Sequence, residues 1–210
     1  MSKRGRFITL EGGEGVGKST QVRALAAALA ERGIDCLTTR EPGGSDGAEA
    51  IRDLLLSGDE ARWSARGEAL LFAAARADHV EKTIRPALDC GQWVLSDRFV
   101  DSSLAYQGIA GEIGLEAVRQ LHDIGSQGFL PDRTLILNLE GGEASRRASV
   151  RDEAGSDRIG GRDSEYHQRV ADAFRMLAAE EPGRVRLVDA SGATDQVTAR
   201  LIAQLEDLLP

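Results

Sequence analysis

Residues 12 to 19 read Gly12-Gly13-Glu14-Gly15-Val16-Gly17-Lys18-Ser19, a complete G-x-x-x-x-G-K-[ST] pattern, followed by Thr20. Glycines at these positions let consecutive backbone N–H groups turn inward around phosphate oxygens. The lysine adds a point charge for the β and γ phosphates, and the serine hydroxyl is a ligand type that Mg²⁺ accepts. The pattern predicts binding of a nucleoside triphosphate. Three further constellations point to phosphate and base chemistry. Ser96-Asp97-Arg98 closes an apolar run, putting a carboxylate suited to Mg²⁺ or its water shell beside a guanidinium that can neutralise transferring phosphate oxygens. Arg40-Glu41-Pro42-Gly43-Gly44 sets an arginine directly ahead of a turn, where it can grip a second phosphate group. Phe72 and Arg76 are four apart, so a helix carries both on one face, an aromatic surface beside a cationic donor that suits a nucleobase. The local alternatives are a strand-end Asp97/Arg98 surface pair, an ordinary Pro-Gly-Gly turn, and a core Phe72 with Arg76 snorkelling past it.

These residues need strands that end at one edge of a sheet. Short apolar runs recur at Phe7–Leu10, Cys36–Thr39, Trp93–Ser96, Thr134–Leu139 and Val185–Val188. Helix-patterned segments separate them at Gly17–Arg32, Asp46–Leu56, Ala65–Asp89, Leu115–Gln127, Asp163–Ala179 and Asp195–Leu209, with Pro86 expected to break the third. Near-continuous apolar runs suit strands buried on both faces. The expectation is therefore an α/β fold of the P-loop NTPase type: a five-stranded parallel sheet covered by helices on both faces, in a single domain spanning 1–210. Residues 141–162, rich in Gly and Arg with almost no apolar anchor, read as a mobile lid.

The chain has 210 residues, 41% hydrophobic, with net charge -8. That acidity argues against a nucleic-acid polymer or an anionic membrane surface as the main partner, while a small anion needs only a local basic pocket. No run approaches a membrane span or a secretory leader, so a cytoplasmic location is expected. Cys36 and Cys90 lack metal spacing and read as buried thiols. His79, His122 and His167 fall in helix-patterned segments, where solvated or capping roles are the default.

Taken together, the segments Glu11–Thr20, Thr39–Gly44, Leu71–Arg76, Ser96–Phe99 and Asp101–Gly108 resemble the bacterial thymidylate kinases in order and approximate spacing. The resemblance implies transfer of the γ-phosphoryl of ATP to dTMP with Mg²⁺, in a homodimer. Carried over by position, Gly12, Gly13, Glu14, Gly15, Val16, Gly17, Lys18, Ser19 and Thr20 would form the ATP loop, with Ser19 and Asp97 at the metal. Glu14 would contact the sugar 3′-hydroxyl, Arg40 and Arg98 would hold the acceptor phosphate, and Pro42 would border the same substrate site. Phe72 would stack on thymine, Arg76 would reach a base carbonyl, and Ser103 would lie near the base N–H edge. Tyr106 would pack under the sugar with Gln107 beside it; on local sequence alone Ser103, Tyr106 and Gln107 read as a polar helix start. The phosphate loop offers only Gly15-Val16 where some relatives carry an arginine, so a lid arginine would act with Lys18, Arg98 and Asp97. Arg151 is the first choice, ahead of Arg147, Arg146 and Arg158. Two rivals remain from the residues themselves. One is a kinase for another small acceptor; the other is a nucleotide-gated switch, although no N-K-x-D element follows the fourth apolar run.

Overall fold

A computed structural model of the chain describes residues 4–139 and 158–210. Five strands, β1 (Phe7–Glu11), β2 (Cys36–Arg40), β3 (Trp93–Asp97), β4 (Arg133–Asn138) and β5 (Val185–Asp189), form one sheet in the order β2-β3-β1-β4-β5, and every pairing is parallel. β1 lies at the centre and is buried along its whole length. Its pleat divides the core in two. Phe7 joins Val94, Phe99 and Phe174 on one face, whereas Ile8 and Leu10 join Leu25, Leu95, Leu135 and Leu201 on the other. Helices α1 (Lys18–Ala30) and α8 (Thr194–Ala203) supply Val22, Leu25, Leu29, Val197 and Leu201 to the second face. Helices α3 (Ala65–His79), α6 (Leu115–Ser126) and α7 (Ser164–Glu180) cover the first, and α2 (Asp46–Leu56) packs against α3.

Parallel strands place all their carboxyl ends at one edge, and there β1 runs into the glycine loop and β3 into Arg98. Gly12 has φ 132°, and a Cβ there would stand 2.6 Å from the Leu137 carbonyl oxygen, so no other residue fits. Arg98 also adopts a left-handed conformation, φ 74°, which turns the chain sharply out of β3.

Three expectations are corrected. The helical run from Ala65 is not broken by Pro86. It passes through a π-helical stretch, Val80–Ile84, into α4 (Arg85–Asp89), and the widened turn absorbs the missing N–H and the ring of Pro86 near the N-terminus of α4. A further helix, α5 (Val100–Ser103), continues as a π-helical stretch through Leu104–Ala110, where no apolar helical pattern stands out. Ser103 thus closes the first turn of a helix, while Tyr106 and Gln107 lie farther along it and not at its start. Cys36 is only partly buried and Cys90 is exposed. Among the described residues no helix is long and apolar enough to cross a membrane.

Candidate active site

The carboxyl edge of the sheet opens into a cavity of about 660 Å³. At one end stand Glu14, Gly15, Gly17, Lys18, Ser19 and Thr20 with Asp97 and Arg98; at the other stand Phe72, Arg76, Ser103 and Gln107, and Tyr106 lies between them against Arg98. Arg40, Pro42 and Arg52 line the same space. Ser103, Tyr106 and Gln107 share a helix face at i, i+3 and i+4, which is why one short helix can offer three polar groups to one cavity.

At the loop end, α1 begins at Lys18, so the free N–H groups of its first turn and its positive dipole end meet the cavity. Lys18 Nζ donates to the Gly12 and Gly13 carbonyls at 3.1 and 2.6 Å. Burial, with Arg98 next, pulls the Lys18 ammonium down to about 8 against the attraction of Glu14, Asp97 and Glu11. A phosphate would supply the missing counter-charge. Ser19 Oγ donates to Asp97 Oδ2 at 2.7 Å, so α1 and β3 bring two hard oxygen donors together. That donor set fits Mg²⁺, which takes few protein ligands and completes its shell with water and substrate phosphates. Among the described residues no cluster of three or more His, Cys, Asp or Glu side chains forms a metal cage.

Arg98 is fixed from four directions: Nη1 donates to Gly12 O at 3.0 Å and Ser102 Oγ at 3.1 Å, and Nη2 donates to Glu14 Oε1 at 2.5 Å and Tyr106 Oη at 3.1 Å. Its guanidinium also lies over the Tyr106 ring, 4.9 Å from the centroid. Glu14 is therefore a paired carboxylate, not an anomalous charge beside a phosphate cradle.

At the far end, Arg76 is 3% exposed and does not snorkel. Its Nε donates to Glu41 Oε2 at 2.8 Å, and its Nη2 donates to Ser103 Oγ at 2.7 Å and to the Phe99 carbonyl at 3.3 Å. Phe72 is half-buried, with one side against the core and the other on the cavity. Arg40, at the rim, pairs with Glu49 at 3.0 Å.

The thymidylate kinase family model matches residues 10–201. The chain belongs to the thymidylate kinase family. It is 64% identical over 206 residues to a thymidylate kinase of Rhizorhabdus wittichii, covering 98% of this chain and 99% of that one. A thymidylate kinase of Bradyrhizobium diazoefficiens is 46% identical over 211 residues, 100% of this chain and 92% of its own. The crystal structure of a thymidylate kinase from Ehrlichia chaffeensis superposes with a TM-score of 0.76 at 32% identity, covering 97% and 99% of the two chains. The P-loop NTPase fold expected from the sequence stands with these likenesses.

Most residues singled out in the sequence of this kinase come together in the cavity, but not all. Val16 turns its side chain into the core beside α1, so only its backbone belongs to the loop's surface. Arg151, Arg146 and Arg147 lie outside the described residues, as does most of segment 141–162. Arg158 is described, and its side chain is fully buried, with Nε on the Leu55 carbonyl and Nη2 on Glu68 Oε2. The histidine expectation fails for two residues: His79 is fully buried, and His122 is 5% exposed. His79 links Thr39 Oγ1, 2.8 Å from Nε2, to Glu41 Oε1, 3.2 Å from Nδ1, and so stands behind the Glu41–Arg76 pair.

Several site residues escaped the sequence reading. Arg52, on α2, lines the cavity and donates to the Pro42 carbonyl at 2.7 Å; its one-turn spacing from Glu49 was a usable signal. Glu11, the last residue of β1, is fully buried and accepts from the Phe99 N–H at 2.7 Å and the Ser102 hydroxyl at 2.5 Å. Burial, and then Asp101 nearby, push its carboxyl up to about 8 despite Arg98 and these hydrogen bonds. Glu68, 2% exposed, carried no signal in the sequence.

Proposed function

We propose that this chain transfers the γ-phosphoryl of ATP to the phosphate of dTMP, giving dTDP and ADP, with Mg²⁺ as cofactor. The observation that carries the reading is a single cavity with the Lys18–Ser19–Asp97 cluster at one end and Phe72, Arg76 and Ser103 at the other. In this reading the Gly12–Thr20 backbone and Lys18 cradle the donor phosphates, and Ser19 and Asp97 hold Mg²⁺. Bound there, the ion would neutralise charge on the donor phosphates. Arg98 and Arg40 meet the acceptor phosphate, and Arg52 adds a third cation on the same wall. Glu14 accepts from the sugar 3′-hydroxyl, Tyr106 packs beneath the sugar, and Phe72 stacks on the base. Arg76 donates to a base carbonyl, while Ser103 and Gln107 face the base N–H edge.

The acceptor phosphate oxygen is already a nucleophile, so no general base is needed and the protein's contribution is positioning and charge neutralisation. Arg151 from the lid segment 141–162 is assigned the migrating phosphoryl, within one kinase domain in the cytoplasm. A homodimer is part of the reading. Leu54, Leu70 and Ile124 are exposed on the adjacent helices α2, α3 and α6, the kind of apolar face a second copy would cover, and sedimentation velocity at micromolar concentration tests it.

The deciding experiment is ADP release from Mg-ATP against dTMP, dUMP, UMP, CMP, GMP, AMP and no acceptor. Stimulation confined to dTMP, with weaker dUMP, is expected. Acceptor-independent hydrolysis would favour a nucleotide switch instead.

A further inference from the structure

Glu68 sits one layer behind the cavity, and its two oxygens are divided between different partners. Oε2 accepts from Arg158 Nη2 at 2.5 Å and Arg162 Nη2 at 2.6 Å. Oε1 accepts from Gln107 Nε2 at 2.9 Å. Gln107 borders the cavity together with Phe72, Arg76 and Ser103, and its Oε1 accepts no hydrogen bond among the described residues.

We propose that Glu68 is a positioning residue for base selection: it fixes which end of the Gln107 carboxamide faces the acceptor's base. A carboxylate already paired with two guanidinium groups has no hydrogen to offer, so it accepts only the NH₂ end of the amide. The carbonyl end is then turned to the cavity, where it requires an N–H donor. Left to itself a glutamine is ambidextrous, and one flip converts an acceptor into a donor. Thymine presents a ring N–H beside its carbonyls, which matches an acceptor from Gln107 next to a donor from Arg76. Cytosine presents an unprotonated ring nitrogen beside an amino group, the reverse pattern, and is refused because the amide cannot turn. The buried pairs with Arg158 and Arg162 keep the carboxylate from following the amide if it rotates. Three groups that never touch the base, Glu68, Arg158 and Arg162, thus sharpen its selection.

This inference rests on the thymidylate kinase reading above, and its test separates the two. The purified enzyme is assayed for kcat/KM with dTMP and with 5-methyl-dCMP, which differs from dTMP only along the base edge. If the wild-type protein ignores dTMP, the functional reading fails and this one falls with it. If it accepts dTMP, Glu68→Gln is compared. Its amide can face Gln107 with either end, so the preference for dTMP over 5-methyl-dCMP should fall about tenfold, a partial loss because Arg76 still disfavours the amino group. Glu68→Asp, an acceptor only, should keep the wild-type preference even where it is slower. Because Glu68→Gln removes the carboxylate that Arg158 and Arg162 share, the pair E68Q/R158M, which takes away one of the two guanidinium groups as well, gives a second background in which the same ratio is read. A purely structural Glu68 would lower both substrates together. An unchanged ratio in either folded variant overturns the proposal.

Discussion

Lys18 and Phe72 occupy opposite ends of one cavity, and their chemistry predicts opposite kinetic signatures. Lys18 points its charge into the phosphate loop and, although buried, contributes no apolar packing beyond its stem. Lys18→Ala should lower phosphoryl transfer by about a hundredfold or more, the order of a lost preorganised donor, while circular dichroism and the unfolding midpoint stay near wild type. Undiminished turnover would remove the phosphate-loop argument. Phe72 gives one side to the core and the other to the cavity. Losing a stacking platform costs about 1–3 kcal/mol, so Phe72→Ala should raise the KM for dTMP roughly tenfold and that for ATP by much less. Equal effects on both substrates would reassign Phe72 to packing.

At the scale of elements, the helix that offers Ser103, Tyr106 and Gln107 is short and carries a π-helical stretch, so its position depends on anchors elsewhere. Glu11 ties its first turn to β1 through Phe99 and Ser102. Asp101, fully buried, forms a two-pronged pair with Arg184 just before β5, each N···O distance 2.8 Å, and accepts from Thr134 Oγ1 on β4 at 2.8 Å. Removing one partner of such a buried pair leaves an uncompensated charge. Asp101→Ala should therefore destabilise the fold by about 3 kcal/mol, read by urea unfolding, and a conserved midpoint would show that Arg184 finds water instead.

For the whole molecule, buried titratable groups set a pH profile of stability whose sign can be worked out. Glu11 is raised from its ordinary 4.5 to about 8, so the native state holds its proton longer than the unfolded chain. Its contribution is complete below pH 4.5 and is lost as pH rises through about 8. His122 is lowered from 6.5 to about 4 by burial, then by Arg76, so its contribution is present above pH 6.5 and lost as pH falls through about 4. The two oppose each other between 4.5 and 6.5; from 6.5 to 8 the Glu11 effect stands without that opposition. Lys18, lowered from 10.5 to about 8, acts in the stabilising direction above that point. Stability should thus fall by about 1–2 kcal/mol between pH 6.5 and 8, and Glu11→Gln should flatten that slope in thermal melts. An unchanged slope in the variant would place the titration elsewhere.

What the sequence by itself determined is local. The phosphate loop, the helix after it, the strand cores and the Asp97-Arg98 strand end are each written in consecutive residues, because turn chemistry and burial periodicity act over short stretches. The helix from Val100 was hard to see because Asp101, Ser102, Ser103 and Gln107 are buried polar residues, satisfied by partners distant in the chain. Tertiary structure alone decided the strand order and the pairs that make the site. Ser19 meets Asp97 across 78 residues, Arg76 meets Glu41 across 35 and Gln107 meets Glu68 across 39. Polar partnerships of that kind have no period and no fixed spacing. They exist because a parallel sheet gathers its strand ends at one edge, where each buried polar group must find a partner.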